Sequence, residues 1–283
     1  MMTAAGAFYT FNDAAMKIAL SDTSNGWAIF IRGVICCAVL LIVAFQGKGL
    51  VALGWRNLRG QLECGGYYVL AAFLFIYSLP LLSFPVAVTA LYTSPLFLVL
   101  LAPLSLEERI NSVRLGATAV GFFGAALTAR PNTGAFSWVV LFPLGSALAT
   151  AMRDITLRSL ARTDNSISIL FFQQFSLMVF GLAYSAVAPT AARATSWSTY
   201  CIILAASLGV LLGVYCTIEA FRASDVGAVS ALRYVAIVWA ALIGAVVWGD
   251  RFTFPQILGM LLVIGSGTAV TLSERRFYSR KIR

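Results

Sequence analysis

Two stretches of sequence that lie 141 positions apart decide the fold: Ser83-Phe-Pro-Val-Ala-Val-Thr-Ala-Leu91 and Ser224-Asp-Val-Gly-Ala-Val-Ser-Ala-Leu232. Serine, valine, alanine and leucine recur at matching places in both. Other pairs of segments match at offsets of 141 to 143. The sequence therefore predicts two related halves, residues 1–131 and 132–283.

The other matches are distributed along most of the chain. They are Asp13 and Lys17 with Asp154 and Arg158, Glu108-Arg109 with Asp250-Arg251, and Leu115-Gly116 with Leu258-Gly259. Chance similarity between two apolar segments is common, so a single match is weak. Several matches in nearly one register indicate an internal duplication.

The composition places the chain in a membrane. Of its 283 residues, 60% are hydrophobic and 11% are charged, and the mean hydropathy is +0.88. Water-soluble domains carry about a quarter charged residues. Histidine is absent, which excludes Ser-His-Asp triads and histidine zinc sites. We therefore expect an integral membrane protein rather than an enzyme, with no cofactor and no metal.

A helix needs about 20 residues to cross the hydrocarbon core, and the sequence predicts ten such spans. They are about 3–20, 26–45, 64–82, 85–104, 114–130, 137–159, 166–188, 199–221, 226–248 and 255–273. Each half then holds five spans, an odd number, so the second half enters the membrane from the opposite side. Such inverted repeats are typical of secondary transporters, with a substrate site between the halves.

The basic residues predict the orientation. With both termini in the cytoplasm, 13 of the 20 lysines and arginines fall on the inner side, four fall on the outer side, and three lie within helices. This excess follows the positive-inside rule. The net charge of +9 is thus explained by sidedness, and we expect membrane lipid rather than nucleic acid as a partner.

Two motifs connect the chain to a known family. Leu106-Glu-Glu-Arg109 and Trp248-Gly-Asp-Arg251, each followed by a glycine-rich helix, resemble the drug/metabolite transporter superfamily of the EamA type. Within it the chain is most similar to bacterial metabolite and amino-acid exporters of the YddG type. The family usually has Gly-Glu at these turns. The resemblance implies an all-α basket of ten helices around a central cavity, with the fifth and tenth at the periphery in a possible homodimer contact.

Charged residues within the spans are costly and should pair or line water. At 1.5 Å per residue, Asp13 and Arg32 both fall about 10 Å below the outer edge, and Asp154 and Arg233 lie at similar depths near the inner edge. We expect two ion pairs, Asp13–Arg32 and Asp154–Arg233. Lys17 and Arg158, each four residues after an aspartate, compete for the same acids, and Arg153 is expected to extend to the inner interface. These groups either gate the cavity or fix helix packing.

Aromatic residues within the cavity-forming helices are candidates for substrate contact, with core packing as the alternative. They are Tyr77, Tyr92, Tyr215, Tyr234 and Trp239. Gln173 aligns with Arg32 at the 141 offset, which favours a pseudo-symmetric site. Hydrogen bonding between helices explains Gln173 equally well.

Three prolines, Pro80, Pro85 and Pro95, lie at the ends of the third and fourth spans or within the fourth. A proline within a helix frees a carbonyl and permits bending. These prolines are either hinges for alternating access or fixed kinks.

Mixed charges and aromatics suit a small zwitterionic or amphipathic solute. We expect a secondary transporter in a bacterial inner membrane that exports metabolites such as amino acids. One alternative is uptake or exchange of a nucleoside-like metabolite such as S-adenosylmethionine. An alternative of another class is a non-transporting scaffold or lipid-handling protein.

Overall fold

The computed structural model describes residues 2–46, 53–54, 56–106, 112–128, 138–187, 196–223 and 234–281. These residues form eleven α-helices and contain no strand. The helices are α1 Met2–Ala19, α2 Asn25–Gln46, α3 Leu58–Ser78, α4 Phe84–Leu91, α5 Ser94–Leu106, α6 Ser112–Thr128, α7 Leu141–Thr163, α8 Ser166–Val187, α9 Trp197–Ala223, α10 Val235–Trp248 and α11 Phe254–Lys281. A 3₁₀ turn, Trp138–Val140, leads into α7. Because α4 and α5 share one span, the ten-span, all-α prediction is confirmed.

The fourth span is broken, which the sequence did not predict. Instead of one helix over 85–104, α4 ends at Leu91 and α5 begins at Ser94. Pro95 lies at the second position of α5, where its missing N–H costs nothing. The Thr93 carbonyl accepts hydrogen bonds from the backbone N–H groups of Leu96 and Phe97, at 2.8 and 3.3 Å. The break is thus a new helix start rather than a bend.

Other helix bounds differ from the predicted spans near their ends. α3 begins six residues earlier than predicted because the Asn57 side chain caps it, accepting from the Gly60 N–H at 3.0 Å. α10 is described only from Val235, and residues 224–233 lie outside the described residues. The predicted boundary between the halves, at residue 131, also lies outside them.

Four helices in the described part of the chain are long and apolar enough to cross a membrane. They are Asn25–Gln46, Trp138–Thr163, Ser166–Val187 and Trp197–Ala220. Shorter apolar helices are Phe84–Leu98, Leu115–Thr128, Val235–Trp248 and Phe254–Ala269. The helices α1 and α3 complete the bundle and carry several of its buried polar groups.

The helix contacts follow a pseudo-twofold pattern. α1 packs along α9, and α7 packs along α3. Since α1 and α7 are the first helices of the two halves, and α3 and α9 the third, these are two copies of one contact. The pairs α2 with α8, α4 with α10 and α6 with α11 each join equivalent helices. This is the arrangement of two inverted five-helix repeats.

Glycines set the closest of these contacts. A Cβ on Gly33 would lie 2.7 Å from the Cα of Met178, so α2 and α8 touch backbone to backbone. A Cβ on Gly124 would lie 2.7 Å from the carbonyl oxygen of Gly259, which joins α6 to α11 in the same way. Small residues permit such close packing in membranes. The homodimer expected through these two helices stays a prediction.

Candidate substrate cavity

A central cavity lies between α1, α2, α3, the α4–α5 break, α7 and α9. Its empty volume, which includes space open to solvent, is about 720 Å³. The lining residues are Tyr9, Asn12, Asp13, Met16, Arg32, Tyr68, Ala71, Ala72, Phe75, Ile76, Leu79, Leu91, Tyr92, Ser94, Ser146, Thr150, Arg153 and Val210. The lining is thus mainly apolar and aromatic, with a small set of charged and polar groups.

Each half contributes an aspartate whose carboxylate accepts a hydrogen bond from the side chain of the preceding residue. In α1, the amide Nδ2 of Asn12 donates to Oδ1 of Asp13 over 2.8 Å. In α7, Nη2 of Arg153 donates to Oδ1 of Asp154 over 2.7 Å. The two pairs are 141 positions apart, and all four side chains are buried. The inverted repeat therefore places related polar pairs in α1 and α7, the first helices of the two halves.

Tyr68 of α3 connects the polar groups of three other helices. Its hydroxyl accepts from Nη2 of Arg32 at 2.8 Å and from Nε2 of Gln174 at 3.0 Å. The guanidinium of Arg153 lies over its ring, 5.8 Å from the centroid. A buried tyrosine needs a partner for its hydroxyl. Tyr68 therefore fixes both arginines that line the cavity.

The break in the fourth span opens onto the same cavity. Leu91, Tyr92 and Ser94 line it, so the non-helical backbone faces the cavity rather than lipid. Irregular backbone within a membrane is tolerated where it lines a cavity, and discontinuous helices form the substrate sites of many transporters.

Some residues expected at the site line this cavity and others do not. Arg32, Asp13 and Tyr92 line it. Tyr215 and Trp239 lie on the outer surface of the bundle, with 47% and 44% of their area exposed. Their position in a cavity-forming helix did not determine which face of the helix they occupy.

Three other expected site residues are packed within the bundle. The ring of Tyr77 packs on Phe142 with centroids 4.9 Å apart, and Tyr234 is buried against Gly267 of α11. Gln173 is buried and donates to Sγ of Cys64 at 3.3 Å. None of the three is among the residues that line this cavity; the neighbour of Gln173, Gln174, reaches it through Tyr68.

The predicted ion pairs look different in the structure. Asp13 and Arg32 attract each other, but among the described residues no ion pair within 4.0 Å joins them. Asp154 pairs with Arg153, which is 5% exposed and lines the cavity. The expectation that Arg153 extends to the inner interface is therefore wrong. Arg233 lies outside the described residues, and Arg158 is only partly buried.

Lys17 contacts groups at the end of the bundle where α1 ends and α2 begins, called here the distal end. Its ammonium donates to the Leu82 carbonyl at 2.6 Å and lies 5.2 Å from the centroid of the Trp248 ring. It is also attracted to Asp250. These contacts join α1 to the α3–α4 connection and to the end of α10, away from Asp13.

The turn after α10 requires its glycine. Gly249 has a φ of +66°, a left-handed conformation that glycine adopts without a steric penalty. The N–H of Asp250 bonds to the Gly244 carbonyl at 3.1 Å, closing the helix end. The Gly-Asp of this turn thereby positions Asp250 near Lys17. Burial raises the pKa of Asp250, and attraction to Lys17 opposes that rise.

The three prolines lie in different structural elements. Pro80 is exposed in the α3–α4 connection, and Pro85 is buried in the first turn of α4 against Gly244. Pro95 begins α5 beside the cavity. The hinge interpretation stays a prediction for all three.

Several cavity residues were missed by the sequence reasoning. They are Tyr9, Asn12, Tyr68, Ser94, Ser146, Thr150, Arg153 and, through Tyr68, Gln174. The 141 offset relates Asn12 to Arg153 and Tyr9 to Thr150, a pairing of polar positions that the sequence analysis did not use. No comparable signal marks Tyr68.

Comparisons with known proteins agree with this architecture. The chain is 24% identical over 282 residues to an "Uncharacterized transporter" of Helicobacter pylori (strain J99), covering 96% of this chain and 93% of the relative. It is 26% identical to the "S-adenosylmethionine uptake transporter" of Rickettsia bellii, covering 73% and 70%. It is 24% identical to the "Riboflavin transporter" of Vibrio cholerae, covering 98% and 93%. A solved crystal structure of a protein at 17% identity superposes with a TM-score of 0.72 over 98% of each chain.

A bundle of two related five-helix halves around a mainly apolar cavity with a few charged groups is the arrangement of a multi-pass membrane transporter. The chain belongs to the EamA-like transporter family, whose model matches residues 1–130 and again residues 137–272. The resemblance predicted from its motifs is confirmed.

Proposed function

We propose that the chain transports a small zwitterionic metabolite with an aromatic or nucleoside part, and that S-adenosylmethionine is the substrate to test first. The observation that carries this proposal is the cavity itself. It combines charges of both signs, on Asp13, Arg32 and Arg153, with aromatic rings. Charged side chains of both signs can bind the two oppositely charged ends of a zwitterion, and tyrosine rings can pack against a planar apolar part.

Two relatives support the planar, nucleoside-like part of this substrate class. Their names describe S-adenosylmethionine uptake and riboflavin transport, and both compounds join a planar heterocycle to a polar chain. Amino-acid export, the direction and substrate expected from the sequence, is the second candidate, since the same two charges fit an amino acid. The aromatic lining of Tyr9, Tyr68, Phe75 and Tyr92 favours the larger, nucleoside-like solute.

The mechanism proposed is alternating access in a bacterial inner membrane with both termini cytoplasmic. The excess of basic residues on one side and the bacterial relatives support that placement. Lys17 would close the distal end through Leu82 and Trp248, while Pro95 and the α4–α5 break would allow the fourth span to move. Breaking the Lys17 contacts would open the distal end.

The test is a flux assay with the purified full chain in proteoliposomes. We expect saturable entry of radiolabelled S-adenosylmethionine, and weaker or no entry of riboflavin and of tryptophan. A channel would give entry that does not saturate, and a scaffold would give none. Saturable tryptophan transport without S-adenosylmethionine transport would favour the amino-acid candidate instead.

A further inference from the structure

Arg32 is held in place but has unused hydrogen-bonding capacity. Its Nη2 is bonded to the Tyr68 hydroxyl, which Gln174 holds in turn. The residue is 4% exposed and lines the cavity. In the described part of the chain, its buried Nε has no hydrogen-bond partner. A buried guanidinium N–H without an acceptor costs free energy, so this position favours an acceptor supplied from the cavity.

Asn12 and Asp13 of α1, which line the same cavity, have the complementary chemistry. Asn12 is 3% exposed, and its Nδ2 donates a hydrogen bond to Oδ1 of Asp13. Its buried Oδ1 has no hydrogen-bond partner among the described residues. Asn12 and Asp13 together therefore present oxygen acceptors and a negative charge on α1, which suit an ammonium or sulfonium group.

These two groups attract each other without closing into an ion pair. The carboxylate of Asp13 and the guanidinium of Arg32 face one cavity from α1 and α2, and no contact within 4.0 Å joins them. A buried ion pair in contact would satisfy both charges and leave nothing for a ligand. Neither group is therefore fully satisfied by the other, and both line the cavity that a ligand would enter.

We propose that Arg32 binds the carboxylate of a zwitterionic substrate through Nε, and that Asn12 and Asp13 bind its cationic group. The proposal rests on the proposed function and assigns the polar recognition within that cavity. Arginine suits the role because its planar guanidinium fits a carboxylate, whereas lysine offers only a point charge. Tyr68 and Gln174 are positioning residues. Tyr68 accepts a hydrogen bond from Nη2 of Arg32, and Gln174 holds the Tyr68 hydroxyl in place.

The competing interpretation is that Arg32 only stabilises the bundle through Tyr68. Loss of all binding in a variant would not distinguish the two, so the measurement is a discrimination ratio. It compares a zwitterion with an analogue that lacks the carboxylate. The pairs are S-adenosylmethionine with decarboxylated S-adenosylmethionine, and tryptophan with tryptamine. A structural arginine changes both members of a pair alike.

Calorimetric titration of the purified full chain in detergent gives the ratios. In the unchanged protein we expect the zwitterion of at least one pair to bind on the order of 10- to 100-fold more tightly than its analogue. Arg32→Lys should bring that ratio near one with little effect on the analogue. Arg59→Lys is the matched control, because Arg59 is exposed and paired with Glu63 on α3, and its ratio should be unchanged. Tyr68→Phe keeps the charge of Arg32 and should lower the ratio partly.

The outcomes separate the two proposals. If the unchanged protein binds no zwitterion, the proposed function fails and the assignment of Arg32 fails with it. If it binds the zwitterion and the analogue equally, or if Arg32→Lys keeps the full ratio, the assignment alone is overturned. A lower ratio in Arg32→Lys, with the control unchanged, supports it.

Discussion

The Nη2 atom of Arg32 donates a hydrogen bond of 2.8 Å to the hydroxyl of Tyr68, 36 positions later in the chain. This bond joins α2 to α3 at the wall of the cavity, and Gln174 of α8 extends it by a bond of 3.0 Å to the same hydroxyl. The hydroxyl thus accepts from two buried donors. Removing it leaves both without their acceptor, which makes Tyr68 the most informative single position in the cavity.

Tyr68→Phe should reduce the apparent substrate affinity on the order of tenfold, because it removes one charged hydrogen bond from Arg32. Transport measured over a range of substrate concentrations checks this. Tyr77→Phe is the control, since Tyr77 lies on the same helix but packs on Phe142 away from this cavity. Equal affinities in the two variants would contradict the role assigned to Tyr68.

Gly124→Ala should destabilise the bundle by about 1–3 kcal/mol through overpacking. The new Cβ would lie 2.7 Å from the Gly259 carbonyl oxygen and 2.8 Å from the Cβ of Leu262, so α6 and α11 must move apart. Gly116→Ala on the same helix meets nothing within 4 Å. Thermal unfolding in detergent should therefore show a lower midpoint for the first variant and no decrease for the second; the reverse order would refute this packing.

Asp164→Ala should lower the thermal midpoint. Asp164, in the connection between α7 and α8, accepts from the Arg56 backbone N–H at 2.9 Å and from Nε2 of Gln61 at 2.8 Å. The Gln61 side chain is buried, and its unpaired donor would cost about 1–3 kcal/mol. Glu63→Ala removes only an exposed ion pair and should change stability by about 0.5 kcal/mol or less. A similar small effect at Asp164 would show that this link between α3 and α7 is unimportant.

Asp250 should make the stability of the protein depend on pH. Since burial raises its pKa in the folded state, the neutral form fits the fold better than the charged form. Its stabilising effect is complete below the ordinary aspartate pKa of about 3.9 and is lost as the pH rises through the raised value. Asp250→Asn should remove this part of the pH dependence in thermal unfolding curves. An unchanged curve would mean that the loop does not bury the carboxylate.

The fold was predictable because the repeat and the apolar runs are both visible in the sequence. The break at Leu91–Ser94 was not, since Pro95 is compatible with a kinked helix as well as with a new helix start. The early start of α3 was missed for a similar reason. Its first turn contains Arg59 and Gln61, which look like loop residues until the Asn57 cap is seen.

The site was less predictable than the fold. Asp13 and Arg32 could be identified because buried charges are rare in membranes. The aromatic residues could not be sorted, because helix membership alone does not say whether Trp239 or Tyr92 faces the interior. Tyr68 gave no signal, since its importance depends on Arg32 and Gln174 meeting it from two other helices.

Counter-flow of S-adenosylmethionine tests whether a single cavity opens alternately to the two sides of the membrane. Proteoliposomes containing the full chain are preloaded with unlabelled substrate or left empty, and the initial entry of labelled substrate is compared. Alternating access should give faster entry and a transient overshoot in the preloaded vesicles. Equal initial rates in loaded and empty vesicles, with entry that does not saturate, would contradict it.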